Sequence, residues 1–138
     1  MTVRRDYLLR LIEDFFSFLA RIMKLKGEKN YQQAMILIDE TAMSLLHLDI
    51  NDLMVNEASF LKITEDKNFS HDQMEILAEL LKVKADVNRE LNAVFSAVNL
   101  YEKSLFLFEF IQVTSKNYSL NRAKKIEEIN YFLLNLKG

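Results

Sequence analysis

"YEKSLFLFEFIQ", residues 101–112, places six aromatic or large aliphatic side chains in the seven positions from 105 to 111. Whether it is a strand, a core helix or a ligand-facing wall decides the class of fold. As a strand it sets Leu105, Leu107, Glu109 and Ile111 on one face and Phe106, Phe108 and Phe110 on the other. That buries Glu109 among hydrophobes without a partner. As a helix, Leu105, Phe106, Phe108 and Ile111 fit spacings of three and four, with Tyr101 one turn before Leu105. Glu102, Glu109, Gln112 and Lys116 then line the other side. The helix strands no charge, so the stretch reads as helix and its aromatics as core.

The composition agrees. The 138-residue chain has no proline, no cysteine and only two glycines, Gly27 and Gly138. Sheet-rich domains need turn residues that tolerate or fix unusual φ values, and here they are nearly absent. Long helices joined by short polar loops follow. The length suits one domain over 1–138, large enough to need no disulfide or structural metal. Without cysteine there is no thiolate chemistry and no cysteine zinc site.

The net charge is −2, unevenly spread. Residues 1–30 carry seven basic and four acidic groups, residues 31–80 two and ten, and residues 81–138 nine and six. The acidic middle argues against a nucleic-acid binder, which needs a basic surface. The N-terminus "MTVRRDYLLRLIEDFF" has no signal-peptide pattern, and the longest uncharged run, 91–101, is too short to span a membrane. The expected location is cytoplasmic.

Along the chain, the apolar spacing predicts helices over about 4–26, 31–46 and 51–63, with Gly27 closing the first in the left-handed conformation and Asn51 or Asp52 capping the third. "TEDKNFS", 64–70, reads as loop. Ser70 and Gln73 have capping-box spacing and open a long helix that breaks between 86 and 99, with Asn99 as a junction. Ser119 caps a terminal helix over about 120–136. Helix one carries apolar residues around most of its circumference, which places it at the centre of the bundle or at a dimer interface. The fold class is therefore all-α, an antiparallel helical bundle of about five helices.

Tyr31-x-x-Ala34-x-x-x-Ile38 recurs 70 residues later as Tyr101-x-x-Ser104-x-x-x-Phe108. A small residue between an aromatic and a large apolar one allows two helices to approach closely. The pattern resembles the second helix of a tetratricopeptide-type pair. A broader resemblance rests on Arg5-Asp6-Tyr7-Leu8, Arg10, Ile12, Glu13 and "FLARI" (18–22), with "YEKSLFLFEF" (101–110) and "TSKNYSLNRAKKIEEI" (114–129). Together these are similar to a small helical family of Gram-positive bacteria. The resemblance implies a cytoplasmic fold with tetratricopeptide-like helix pairs and brings no activity with it.

Chemistry is hard to find. His47 and His71 form no His-x-x-x-His or Glu-x-x-His pattern, so no metal site is expected. The carboxylate doublets point about 100° apart and share no site. There is no Gly-rich phosphate loop and no nucleophile elbow. No cofactor is expected, and nothing marks an enzyme. The most specific polar cluster is Arg4, Arg5, Asp6, Arg10, Glu13 and Asp14, in which Asp6–Arg10 and Arg10–Glu13 have ion-pair spacing. Candidate partner-binding residues are Tyr7, Arg10, Glu13, Tyr31, Tyr101, Arg122 and Lys125. The expected role is protein–protein interaction or assembly, through an unknown protein or peptide or by self-association as a dimer. The rival is a small-molecule sensor or enzyme with an interhelical pocket, lined by Phe95, Phe106, Phe108 and Phe110, with a histidine and a carboxylate at its mouth.

Overall fold

A computed structural model describes the backbone from Thr2 to Lys137 and the side chains from Arg5 to Lys137. Every regular element among the described residues is an α-helix. There are seven: α1 (Thr2–Gly27), α2 (Tyr31–Leu46), α3 (Ile50–Leu53), α4 (Glu57–Lys67), α5 (His71–Glu90), α6 (Val94–Thr114) and α7 (Leu120–Lys137). They form two compact units, α1–α4 ending at Asn68 and α5–α7 beginning at Phe69.

Seven replaces about five because the chain breaks where side chains can take over helix ends. Asp49, rather than Asn51 or Asp52, caps α3 by accepting the Asn51 amide at 2.9 Å. Asn56, in extended conformation, caps α4 by accepting the Ser59 amide at 2.7 Å. The helix therefore runs on through residues 64–67, which the sequence reading gave to a loop. The Ser70–Gln73 box forms in both directions, at 3.2 and 2.9 Å. Ser119 accepts the Arg122 amide at 3.1 Å.

The break after α5 falls at residues 91–93, inside the expected 86–99 and at the end of "DVNRELN" rather than at the Asn99 junction, because Asn92 takes φ 61° there. The Ala93 amide bonds the Asn88 carbonyl and the Asn92 amide the Arg89 carbonyl, a closed Schellman end. The same pattern ends α1, with Asn30 bonding Leu25 and Lys29 bonding Lys26. Its left-handed residue is Lys29, φ 61°, so Gly27 does not close the helix in that conformation.

In the first unit, Leu11, Phe15 and Ile22 of α1 and Ala34, Leu37, Ile38, Ala42, Leu45 and Leu46 of α2 are buried. Helix α1 is not central: Tyr7, Leu9, Phe16 and Met23 are exposed. Its hydrophobic circumference exceeds what one packed side covers.

In the second unit the side-chain register fixes the topology. Tyr101 meets Asp86 and Arg89, Ser104 meets Ala78, and His71 meets Thr114, so α5 and α6 run antiparallel. Gln112 meets Arg122 and Tyr101 meets Phe132, so α6 and α7 do too. Along α5 every residue from Leu80 to Asn88 is buried, an enclosed stretch between exposed ends. The opening stretch is helical, with Tyr101, Ser104, Leu107, Phe108 and Ile111 inward, whereas Phe106 and Phe110 face out. A fully buried side chain such as Phe108 contributes about 1.5–3 kcal/mol.

Candidate functional site

Two polar constellations stand out, one in each unit. In the second unit the hub is Asp86, on the enclosed stretch of α5. Lys82 Nζ donates to Asp86 Oδ2 at 3.1 Å and to Glu128 Oε1 at 2.9 Å. The Tyr101 hydroxyl donates to Asp86 Oδ1, and Arg89 Nε donates to the Tyr101 oxygen at 3.1 Å. The Arg89 guanidinium lies 4.0 Å from the Phe132 ring centre, and Phe132 stacks on Tyr101 at 5.6 Å. Burial pushes the Tyr101 hydroxyl well above the usual phenol range, Asp86 adds to the rise, and Arg89 opposes it without winning. For Lys82 burial pulls downward, but Asp86 and Glu128 outweigh it and hold the amine above its ordinary value. Both shifts lead away from neutrality, the reverse of what acid–base catalysis requires. The network is a staple for the three helices.

Arg122, a proposed contact residue, is 5% exposed. Its guanidinium reaches Gln112 Oε1 at 2.8 Å, Glu75 Oε1 at 3.0 Å and the Asn117 carbonyl at 2.8 Å, clamping the α6–α7 loop onto α5. Burial raises the Glu75 carboxyl above the usual range against the opposing pull of Arg122. Tyr101, also proposed for partner contact, is fully buried. Both expectations are corrected: Arg122 is held inward by Gln112, Glu75 and the Asn117 carbonyl, and Tyr101 by Asp86, Arg89 and the Phe132 ring. Lys125 pairs with Glu79 at 3.3 Å and stays partly accessible. Beside it, one face of α7 with Lys124, Glu127, Glu128 and Tyr131 borders an open concavity of about 360 Å³.

In the first unit Tyr7 and Arg10 do come together. With Leu11 and Asp14 of α1 and Ser44, Leu45 and His47 from the end of α2, they line a cavity of about 180 Å³. Leu11 and Leu45 are buried, whereas the five polar residues reach solvent. His47 ends α2 at φ 52°, a left-handed cap whose carbonyl accepts Lys67 Nζ at 2.6 Å. Among the described residues, none of the side chains of Tyr7, Arg10, Asp14, Ser44 or His47 has a hydrogen-bond or ion-pair partner. The expected Asp6–Arg10 and Arg10–Glu13 pairs therefore do not close, and Arg4 lies outside the described side chains. Glu13 is exposed on α1 and Tyr31 is half-buried at the start of α2.

The phenylalanine-lined pocket does not form. Phe108 is core, Phe95 is 84% exposed, and Phe106 and Phe110 lie at the surface. On α1, Leu9, Phe16 and Met23 repeat every seven residues and are 50%, 61% and 47% exposed. Ile12 and Leu19, half-buried, lie between them. The spacing of this row was visible in the sequence, but its exposure was not.

No family model, curated protein or solved structure matches the chain. Among the described residues no group of three or more histidine or acidic side chains is placed to hold a metal ion, and no helix is long and apolar enough to cross a membrane.

Proposed function

We propose that the protein is an assembly module that docks through α1, with a second copy of the chain as the occupant. The observation that carries this reading is the row Leu9, Ile12, Phe16, Leu19 and Met23, in which Leu9, Phe16 and Met23 are exposed and Ile12 and Leu19 half-buried. Its alternating spacings of three and four are those of a coiled-coil seam, which fits another helix. Apolar rows of this kind on a helix surface mark interaction sites. The polar edge of the seam supports a two-fold partner. Asp6 and Glu13 stand at its N-terminal end and Lys24 at its C-terminal end, so an antiparallel copy sets opposite charges beside one another.

The tetratricopeptide-like pairing belongs to the same proposal, as do the likeness to the Gram-positive family and the cytoplasmic location. The α5–α6 pair supports the first of these. Ser104 is fully buried and its hydroxyl donates to the Ala78 carbonyl at 2.7 Å, the close approach a small residue permits.

Light scattering on the purified chain tests the reading. A dimer is expected, and Phe16→Glu is expected to weaken it. Phe16 is 61% exposed, and the two-fold counts each lost ring twice, giving about 2–4 kcal/mol or roughly 30- to 1,000-fold. The thermal midpoint of the monomer should hardly move. A wild-type chain that stays monomeric at high concentration sinks self-assembly.

A further inference from the structure

The cavity between the start of α1 and the end of α2 has no part in that assembly reading, yet its lining has the marks of a binding site. Five polar side chains from two helices meet there, and among the described residues none of them has a partner. Arg10 and Asp14 are the clearest case. They stand one helical turn apart, where opposite charges ordinarily pair, yet they remain beyond ion-pair distance while both face the same space.

The lining specifies a ligand. Arg10, the Tyr7 and Ser44 hydroxyls and the His47 ring supply donors, and Asp14 supplies a charged acceptor. One permanent cation and one anion sum to zero, which suits a zwitterion and not a phosphate. A single carboxylate and a single histidine fall short of a metal site. Buried Leu11 and Leu45 offer an apolar floor. The volume, about 180 Å³, is the share of roughly six waters and lies below the range of pockets for larger ligands. His47 is held in place from behind, since its carbonyl accepts Lys67 Nζ.

We propose that this cavity binds a free α-amino acid with a short aliphatic side chain. Arg10, assisted by Tyr7 and Ser44, takes the carboxylate; Asp14 takes the ammonium group; the side chain rests on Leu11 and Leu45.

Amide chemical-shift titration of the full chain tests it, with L-leucine, L-leucinamide and N-acetyl-L-leucine as probes. L-leucine is expected to give saturable shifts confined to residues near 7–14 and 44–47. The amide, which lacks the carboxylate, and the acetylated form, which lacks the ammonium, are each expected to bind at least tenfold more weakly. Arg10→Gln should abolish the preference for leucine over its amide, and Asp14→Asn the preference over the acetylated form. A merely structural role for either residue predicts neither change in selectivity. Both residues are exposed, so the variants are expected to fold. Absent or non-saturating shifts, shifts elsewhere, or equal binding of the three probes overturn the proposal. Tighter binding of N-acetyl-L-leucine overturns it too and reassigns the cavity to the carboxyl-terminal residue of a peptide.

Discussion

Replacing Asp86 by alanine is expected to destabilise the chain by about 3–5 kcal/mol, the cost of breaking a buried charge pair. Asp86 has two oxygens with different duties. One pairs with Lys82 at 3.1 Å, and the other accepts the Tyr101 hydroxyl. Without it, Lys82 keeps only Glu128, whose side chain is 47% exposed, and Tyr101 loses its acceptor at a fully buried position. Arg89, 3.9 Å from Asp86, loses its attraction as well. Asp86→Asn keeps an acceptor for the phenol and removes the charge, so its cost should be smaller. Tyr101→Phe, which removes the hydrogen bond donated to Asp86 and the one accepted from Arg89, should cost about 1–3 kcal/mol. Pairing Asp86→Leu with Lys82→Met should recover much of the loss, because apolar replacements leave no buried charge unpaired. Urea unfolding of the set measures all of these. A midpoint for Asp86→Ala within experimental error of the parent would show that the staple contributes nothing.

The second large effect is with pH. Folding raises the pKa of both Tyr101 and Lys82. A raised value means stability that is complete below the unfolded-state pKa and lost as pH climbs through the folded one. The ordinary values are 10.0 for tyrosine and 10.5 for lysine, so the loss begins at about pH 10. Above pH 10 Tyr101 contributes a slope that approaches about 1.4 kcal/mol per pH unit, and Lys82 steepens it for as long as the folded chain holds that proton. Unfolding midpoints followed from about pH 9 to pH 12 should fall with rising pH, and Tyr101→Phe should make the fall shallower. An equal slope in the variant would remove Tyr101 from the account.

How much of this the sequence reveals depends on whether the cause is local. The all-helical class follows from missing proline and scarce glycine. The Ser70–Gln73 box and the Ser119 cap are legible because a cap acts on amides two or three residues away. The enclosed part of α5 is not legible: Lys82, Lys84, Asp86 and Asn88 read as a polar stretch, yet all four are buried. Lys82 tolerates burial because Glu128, 46 residues further on, arrives beside it, and no local pattern announces that. The inward face of "YEKSLFLFEF" was read with Leu105 and Phe106 inside, because periodicity gives the interval and not the phase; the Ser104–Ala78 approach sets the phase. Helix α1 failed in the opposite direction, since apolar residues state what could be covered and not what is. The unpaired cavity side chains escape sequence reading altogether, for Arg10 and Asp14 look like an ordinary ion pair until α2 is placed beside them.

The antiparallel path of α5, α6 and α7 also has a consequence in time. Each helix lies beside the next one along the chain, and the connections are residues 91–93 and 115–119. Contacts between near neighbours in sequence need little loop closure before they form, which favours folding in microseconds to milliseconds. The absence of proline removes the commonest source of a refolding phase lasting tens of seconds. After a jump out of denaturant the second unit should therefore regain its helical signal within the dead time or the first milliseconds of mixing. Any slower process that depends on protein concentration would report the meeting of two chains and not the folding of one, so the kinetic record separates the two events by itself.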